Sequence, residues 1–119
     1  MKRIILIIDD EEILTKTFTK LLERYDYEVY SAKKGQDALC MVEAENFDLV
    51  ICDMRMPGMS GVETIREIRK LKPEMPVVFV TGFADDKMEV EAQELKPIAY
   101  LHKPFDVTNF LDIIKEKLT

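Results

Sequence analysis

Five short apolar runs alternate along the chain with five stretches of helical periodicity, and this alternation constrains the fold more than any other feature. The apolar runs predict strands over 3–8, 28–31, 48–52, 77–80 and 98–102. The stretches between and after them predict helices over 12–25, 35–46, 62–72, 86–94 and 107–118. The apolar side of the first helix, expected to face the core, consists of Leu14, Phe18, Leu21, Leu22 and Tyr25. The alternation of strands and helices is typical of a parallel sheet with helices on both faces. We therefore predict a doubly wound α/β sandwich.

Size and composition indicate one soluble domain. The 119 residues are enough for one core and too few for two. No apolar stretch approaches the roughly 20 residues that span a bilayer, so no membrane association is expected. The first apolar run is six residues long and ends at two aspartates, unlike a secretory signal, and a cytoplasmic location is expected.

Charge and cysteine content exclude two further classes. The net charge of −6 argues against direct nucleic-acid binding, which depends on Lys and Arg contacts to phosphates. Cys40 and Cys52 are too few and too unpatterned for a disulfide framework or a zinc site, and we expect both to be buried as small hydrophobes.

Four of the five predicted strands end at residues that can handle a phosphoryl group. Asp9 and Asp10 follow the first strand, Asp53 the third, Thr81 the fourth and Lys103 the fifth. In an open parallel sheet, the carboxyl ends of the strands share one edge, and ligands bind there. We expect three carboxylates, a hydroxyl and an ammonium to converge at that edge.

Clustered carboxylates raise one another's pKa values, so they persist where a positive charge lies among them. An oxygen-only ligand set favours a hard cation such as Mg²⁺, with Mn²⁺ as an alternative. The simpler interpretation is that Asp9 or Asp10 caps the first helix. That interpretation accounts for neither Asp53 nor Lys103 at the matching strand ends.

The order and spacing of four segments resemble a known family. The segments read IILIIDDEE, VICDMRMPGMSGVE, VVFVTGFAD and AYLHKPF. Together they make the chain similar, over its whole length, to the receiver domains of two-component response regulators. The resemblance implies a single receiver domain over 1–119. It also implies a flavodoxin-like three-layer sandwich with strand order 2-1-3-4-5.

The resemblance assigns roles at the predicted sheet edge. Asp53 would be the phosphoacceptor. Asp10 would ligate Mg²⁺ directly and Asp9 directly or through water, while Asp53 and the backbone carbonyl of Arg55 would complete the protein ligands. Lys103 would reach a phosphoryl oxygen as a mobile point charge.

A conformational switch is also implied by the resemblance. The Thr81 hydroxyl would bind a phosphoryl oxygen and draw its loop toward Asp53. The Tyr100 ring would then turn inward behind Thr81 and remodel the surface of the fourth helix and fifth strand. Pro104 would follow a cis peptide bond.

The partners implied are a sensor histidine kinase or phosphotransfer protein on the input side, and a downstream target or the protein's own output domain on the other. Homodimerisation on phosphorylation is a further expectation. The chemistry would be limited to self-catalysed phosphoryl transfer and autodephosphorylation, so the domain is not expected to be a turnover enzyme. Whether it acts alone or belongs to a longer regulator stays open.

Two side chains lie at positions that vary in such receivers, and both bear on how long the phosphorylated form lasts. Arg55 follows the acceptor by two residues, and Phe83 follows Thr81 by two. A bulky Phe83 would shield the anhydride from water, and Arg55 would contact the phosphoryl group. We therefore expect a long-lived phosphorylated form.

Three other functions are less consistent with these residues. A phosphohydrolase with an aspartate nucleophile, similar to haloacid dehalogenases, needs a second aspartate at the position of Arg55. A nucleotide- or flavin-binding module needs a glycine-rich first turn, whereas residues 9–12 are all acidic. A receiver-like scaffold that binds proteins without being phosphorylated is the main alternative, and the intact matched residues argue against it.

Overall fold

The sheet contains five parallel strands in the order β2-β1-β3-β4-β5. It is seen in a computed structural model that describes residues 2–82 and 85–118. The strands are β1 (Ile4–Ile8), β2 (Glu28–Ala32), β3 (Leu49–Asp53), β4 (Val77–Thr81) and β5 (Ala99–His102). Five helices connect and follow them: α1 (Glu12–Arg24), α2 (Gly35–Ala44), α3 (Gly61–Leu71), α4 (Asp86–Glu94) and α5 (Val107–Lys117).

The predicted fold class and strand order are confirmed, and the boundaries shift by one or two residues. β1 begins at Ile4, and α2 ends at Ala44. Two shifts bear on function, because Asp53 and Thr81 are the last residues of their strands rather than the first residues after them. Asp53 pairs with Val80, and Thr81 pairs with His102, so the ladder fixes the backbone of both residues.

Two apolar layers lie on opposite faces of the sheet. One layer packs α2, α3 and α4 against the sheet, with Phe79 and Ile65 at its centre. The other packs α1 and α5, with Phe18 and Phe110 in contact at 5.1 Å between ring centroids. Strands β3 and β4 are buried along their whole length, as expected for central strands covered on both faces. Within the described residues, no helix has the length and apolarity that a membrane span requires.

Two predicted core positions are wrong. Tyr25 is 45% exposed, because it caps the C-terminal end of α1, where Lys115 Nζ lies 4.2 Å from the centre of its ring. Cys40 is exposed, because it lies two residues after the buried Ala38 and therefore on the opposite side of α2. Cys52 is buried as predicted.

Candidate functional site

Three aspartates meet at the carboxyl edge of the sheet. Asp9 and Asp53 are each only 6% exposed, whereas Asp10 lies at the surface. One carboxylate oxygen from each lies within 4.8 Å of the others. The convergence expected from the strand ends is therefore present for these three carboxylates.

Backbone contacts hold the site in place. The amide of Asp9 donates to Ala32 O at 3.0 Å, which extends the β1–β2 ladder into the site. The amide of Met54, directly after Asp53, donates to Val80 O at 3.1 Å. Gly61 opens α3 so close to β3 that a Cβ atom there would collide with Asp53 O. The loop from β3 to α3 is thus clamped directly onto the Asp53 backbone.

Burial and like charge disfavour ionised carboxylates here. Burial, followed by the charge of Asp9, raises the pKa of Asp53 to about 6, against the opposing effects of Lys103 and of the Arg55 amide at 3.4 Å. Burial is also the main reason that the pKa of Asp9 is raised. The Asp9 Oδ1 atom accepts a hydrogen bond from the Glu11 amide at 2.9 Å, which partly offsets that effect. Both carboxylates are therefore harder to ionise here than in water.

Lys103 supplies a positive charge at the site. Its Nζ atom lies 3.7 Å from Asp9 Oδ2 and 3.3 Å from Glu11 Oε1, and its side chain is 18% exposed. The Lys103 amide donates to Thr81 O at 2.7 Å, which ties the ends of β4 and β5 together. The peptide bond to Pro104 is cis, as predicted. Sequence reasoning assigned no role to Glu11, although its place directly after two aspartates was a signal that it belongs to the site.

Thr81 and Tyr100 lie on the same face of the sheet. Thr81 is 1% exposed and pairs with His102, while Tyr100 pairs with Phe79 two residues earlier in β4. The half-buried Tyr100 ring lies 6.4 Å from the Phe79 ring and 5.2 Å from the His102 ring, between centroids. Burial raises the pKa of the Tyr100 phenol, and the charges of α4 and its cap add to the effect. The ring therefore lies between the end of β4 and α4.

The donor set suits a hard divalent cation. It consists of carboxylate oxygens only, which is the set that Mg²⁺ prefers. Burial and the neighbouring Asp9 charge raise the pKa of Asp53, so a cation held by these oxygens would favour its ionised form. Arg55 lies two residues after Asp53, and its carbonyl remains a predicted ligand. Phe83, predicted to shield the site, lies outside the described residues.

Comparison with known proteins places this geometry in context. Residues 5–115 match the family model of the response regulator receiver domain. The crystal structure of a response regulator receiver domain protein (CheY-like) from Methanospirillum hungatei is similar, with a TM-score of 0.94 and 34% identity. The similarity covers 99% of this chain and 94% of that one.

Two named relatives differ in how much of their length the chain spans. The transcriptional regulatory protein ZraR of Salmonella typhimurium is 36% identical over 114 residues, which make up 96% of this chain but 26% of ZraR. The sporulation initiation phosphotransferase F of Bacillus subtilis is 30% identical over 118 residues, or 99% of this chain and 95% of the relative. The chain thus spans about a quarter of the first relative and nearly all of the second.

Proposed function

This chain belongs to the response regulator receiver domain family of two-component systems, and from that premise we propose that Asp53 accepts a phosphoryl group from a sensor histidine kinase or a phosphotransfer protein. The convergence of three carboxylates and one ammonium at the carboxyl edge of the sheet is the observation that carries the proposal. The scaffold alternative needs no such arrangement, because a protein-binding surface does not require buried, mutually repelling carboxylates.

In the proposed reaction, a carboxylate oxygen of Asp53 forms a bond to phosphorus. The bond between phosphorus and the donor atom breaks, and its electron pair leaves with the donor. Lys103 neutralises the charge on the phosphoryl oxygens, and the clamped β3–α3 loop holds the nucleophile in position. Water later attacks phosphorus, the bond between phosphorus and the Asp53 oxygen breaks, and inorganic phosphate leaves as the carboxylate is regenerated. The domain would thus form one aspartyl phosphate bond, whose slow hydrolysis ends the phosphorylated state.

Asp9, Asp10 and Asp53 would hold Mg²⁺, or Mn²⁺ as the alternative, together with the backbone carbonyl of Arg55. When bound, the ion would supply positive charge that stabilises the phosphoryl oxygens and the carboxylates. The chain's own residues keep two tasks: Asp53 is the nucleophile, and Lys103, at the end of β5, supplies a second positive charge.

Thr81 and Tyr100 would report the phosphorylated state. Thr81 ends its strand beside Lys103, so its hydroxyl is well placed to move toward a group on Asp53. Tyr100 lies between β4 and α4, and a shift of Thr81 would leave room for its ring to turn inward. The surface of α4 and β5 would change, and a downstream target, an output domain or a second copy would read it.

The decisive experiment is labelling by acetyl phosphate in the presence of Mg²⁺. Intact-mass measurement should show a gain of one phosphoryl group that alkali removes, because an aspartyl phosphate is a labile mixed anhydride. Asp53→Asn should abolish the gain. Asp112→Asn is the matched control, because Asp112 lies exposed on α5, and its labelling should equal that of the natural protein. Absence of the adduct, or its survival in Asp53→Asn, would refute the assignment and favour the unphosphorylated scaffold.

The switch and the lifetime need their own measurements. With 3-fluorotyrosine incorporated, the Tyr100 resonance should shift on phosphorylation, and Thr81→Val, which replaces the hydroxyl with a methyl group, should suppress the shift. A full shift in that variant would rule out the coupling. Loss of labelled phosphate over time tests the long-lived phosphorylated form expected from Arg55 and Phe83, and a lifetime of seconds would contradict it.

A further inference from the structure

Glu11 lies at the site, although the proposed reaction gives it no role. Its Oε1 atom is 3.3 Å from Lys103 Nζ, closer than the 3.7 Å between that ammonium and Asp9 Oδ2. Its amide donates to Asp9 Oδ1 at 2.9 Å, which fixes the Glu11 backbone at the edge of the carboxylate cluster. The Glu11 side chain is 62% exposed. Glu11 is therefore attached to the site through its backbone, while its carboxylate is largely exposed to solvent and can give up the Lys103 ammonium.

We propose that Glu11 is a positioning residue whose carboxylate holds the Lys103 ammonium between phosphorylation events and competes with the phosphoryl oxygens for it. The proposal rests on the proposed function, because Lys103 needs a phosphoryl group to move to. In the resting protein, Glu11 keeps the ammonium on the outer side of the site. When Asp53 is phosphorylated, the ammonium leaves Glu11 Oε1 and pairs with the phosphoryl oxygens.

The size of the competition follows from exposure. A pair between a largely buried lysine and an exposed glutamate is a weak ion pair, worth the small energies measured for surface pairs. Such a pair is strong enough to hold the ammonium and weak enough to release it. Removing the carboxylate should therefore speed phosphorylation only modestly, by about two- to five-fold.

Glu11→Gln and Glu12→Gln form a matched pair for the test. Glu12 is the next residue, is equally exposed at 62%, and pairs with Lys33 at 3.0 Å instead of Lys103. Both variants remove one negative charge near the start of α1. The rate of labelling by acetyl phosphate with Mg²⁺ should rise about two- to five-fold in Glu11→Gln and stay near the natural rate in Glu12→Gln.

A metal-free readout tests the ion pair itself. The NMR signal of the Lys103 ε-carbon, recorded in chelator, should move in Glu11→Gln and stay in place in Glu12→Gln. A third comparison measures labelling of Lys103→Met with and without Glu11→Gln. Because labelling without Lys103 is slow, it is followed over hours at high acetyl phosphate concentration. There the rate gain should vanish, because the competition needs the ammonium. A gain that persists without Lys103 would instead mean direct repulsion of the donor and would overturn the proposal.

The remaining outcomes separate this proposal from the proposed function. If the natural protein labels on Asp53 but Glu11→Gln labels at the same rate or more slowly, the role of Glu11 is refuted and the phosphoacceptor assignment stands. Equal acceleration in both glutamine variants would indicate a general charge effect and also refute it. If the natural protein does not label at all, the proposed function fails first, and the role of Glu11 fails with it.

Discussion

Two neighbouring strand–helix units differ in how firmly their helices are held. In the β3–α3 unit, which carries Asp53, the helix buries five residues: Gly61, Val62, Thr64, Ile65 and Ile68. It also begins with a capping box, in which Ser60 and Glu63 exchange side chain–backbone hydrogen bonds. In the β4–α4 unit, which carries Thr81, the helix buries Ala92 alone. The proposed acceptor precedes a firmly packed helix, and the proposed switch precedes a loosely packed one.

This difference suits the proposed division of labour. Phosphoryl transfer needs a nucleophile held within a fraction of an ångström, which a clamped helix provides. A switch needs an element with little burial to lose when it moves, because segments with few apolar contacts open most readily. Arg69 joins the two units, since its guanidinium on α3 donates to Leu95 O at the end of α4 at 2.7 Å. Movement of α4 should therefore be greatest away from that end.

The largest expected effect is loss of packing under α3. Ile65 is completely buried, and Ile65→Ala should lower the free energy of unfolding by about 2–5 kcal/mol through lost transfer energy and a residual cavity. Val90→Ala on α4 is the control. Val90 is 59% exposed, and the change should stay within about 0.5 kcal/mol. Urea denaturation of both variants gives the comparison, and equal losses would show that the two helices are held alike.

The second prediction concerns charge at the end of β3. Asp53 has a folded-state pKa of about 6 against an ordinary value of 3.8, so the native state binds its proton more tightly than the unfolded state. Stability in chelator should therefore rise as pH falls from about 7 toward 4. The pKa difference corresponds to at most about 3 kcal/mol. At pH 7.5, Asp53→Asn should raise the free energy of unfolding by up to that amount relative to the natural protein. Near pH 4 this gain should shrink toward zero.

Denaturation in chelator between pH 4 and 7.5 measures that gain. Asp112→Asn, which removes a carboxylate from the exposed surface of α5, is the control variant. Mg²⁺ at neutral pH should reduce the advantage of Asp53→Asn, because bound cation stabilises only the protein that keeps the carboxylate. If Asp53→Asn were less stable than the natural protein at pH 7.5 without metal, that result would contradict the raised pKa of Asp53.

Features that depend on local sequence patterns or on strand ends were predictable from the sequence, and individual side-chain contacts were not. Strand β3 was predictable because a continuous apolar run between acidic residues fits a strand buried on both faces. The place of Asp53 was predictable because parallel strands share their carboxyl edge. The pairing of Lys103 with Glu11 was not predicted, because strand ends place residues at one edge but do not show which carboxylate a flexible lysine side chain contacts. Tyr25 was mistaken for core because helical periodicity does not show where a helix ends.

The third prediction tests the link between the two units. Arg69 donates to Leu95 O and, through Nε at 2.9 Å, to Met75 O. Arg69→Met keeps much of the apolar stem and removes both donors, so it should lower stability by about 1–3 kcal/mol. Hydrogen exchange should also rise at the C-terminal end of α4. Arg66→Met removes the partner of Glu91 at 3.6 Å, an exposed pair, and should change little. Unchanged exchange in Arg69→Met would show that α4 is anchored in another way.

The smallest effect compares the two helix caps. Ser60→Ala removes half of the α3 capping box, and Asp85→Ala removes the side chain that accepts the Lys87 amide at the start of α4. Each should cost about 1 kcal/mol of its own helix. Because α3 unfolds with the core, the Ser60 loss should appear in global denaturation. Because α4 has little buried surface to keep it in place, the Asp85 loss should appear mainly as faster hydrogen exchange within α4. If both losses appeared equally in global denaturation, α4 would be as firmly coupled to the core as α3, and the loose helix could no longer explain the switch.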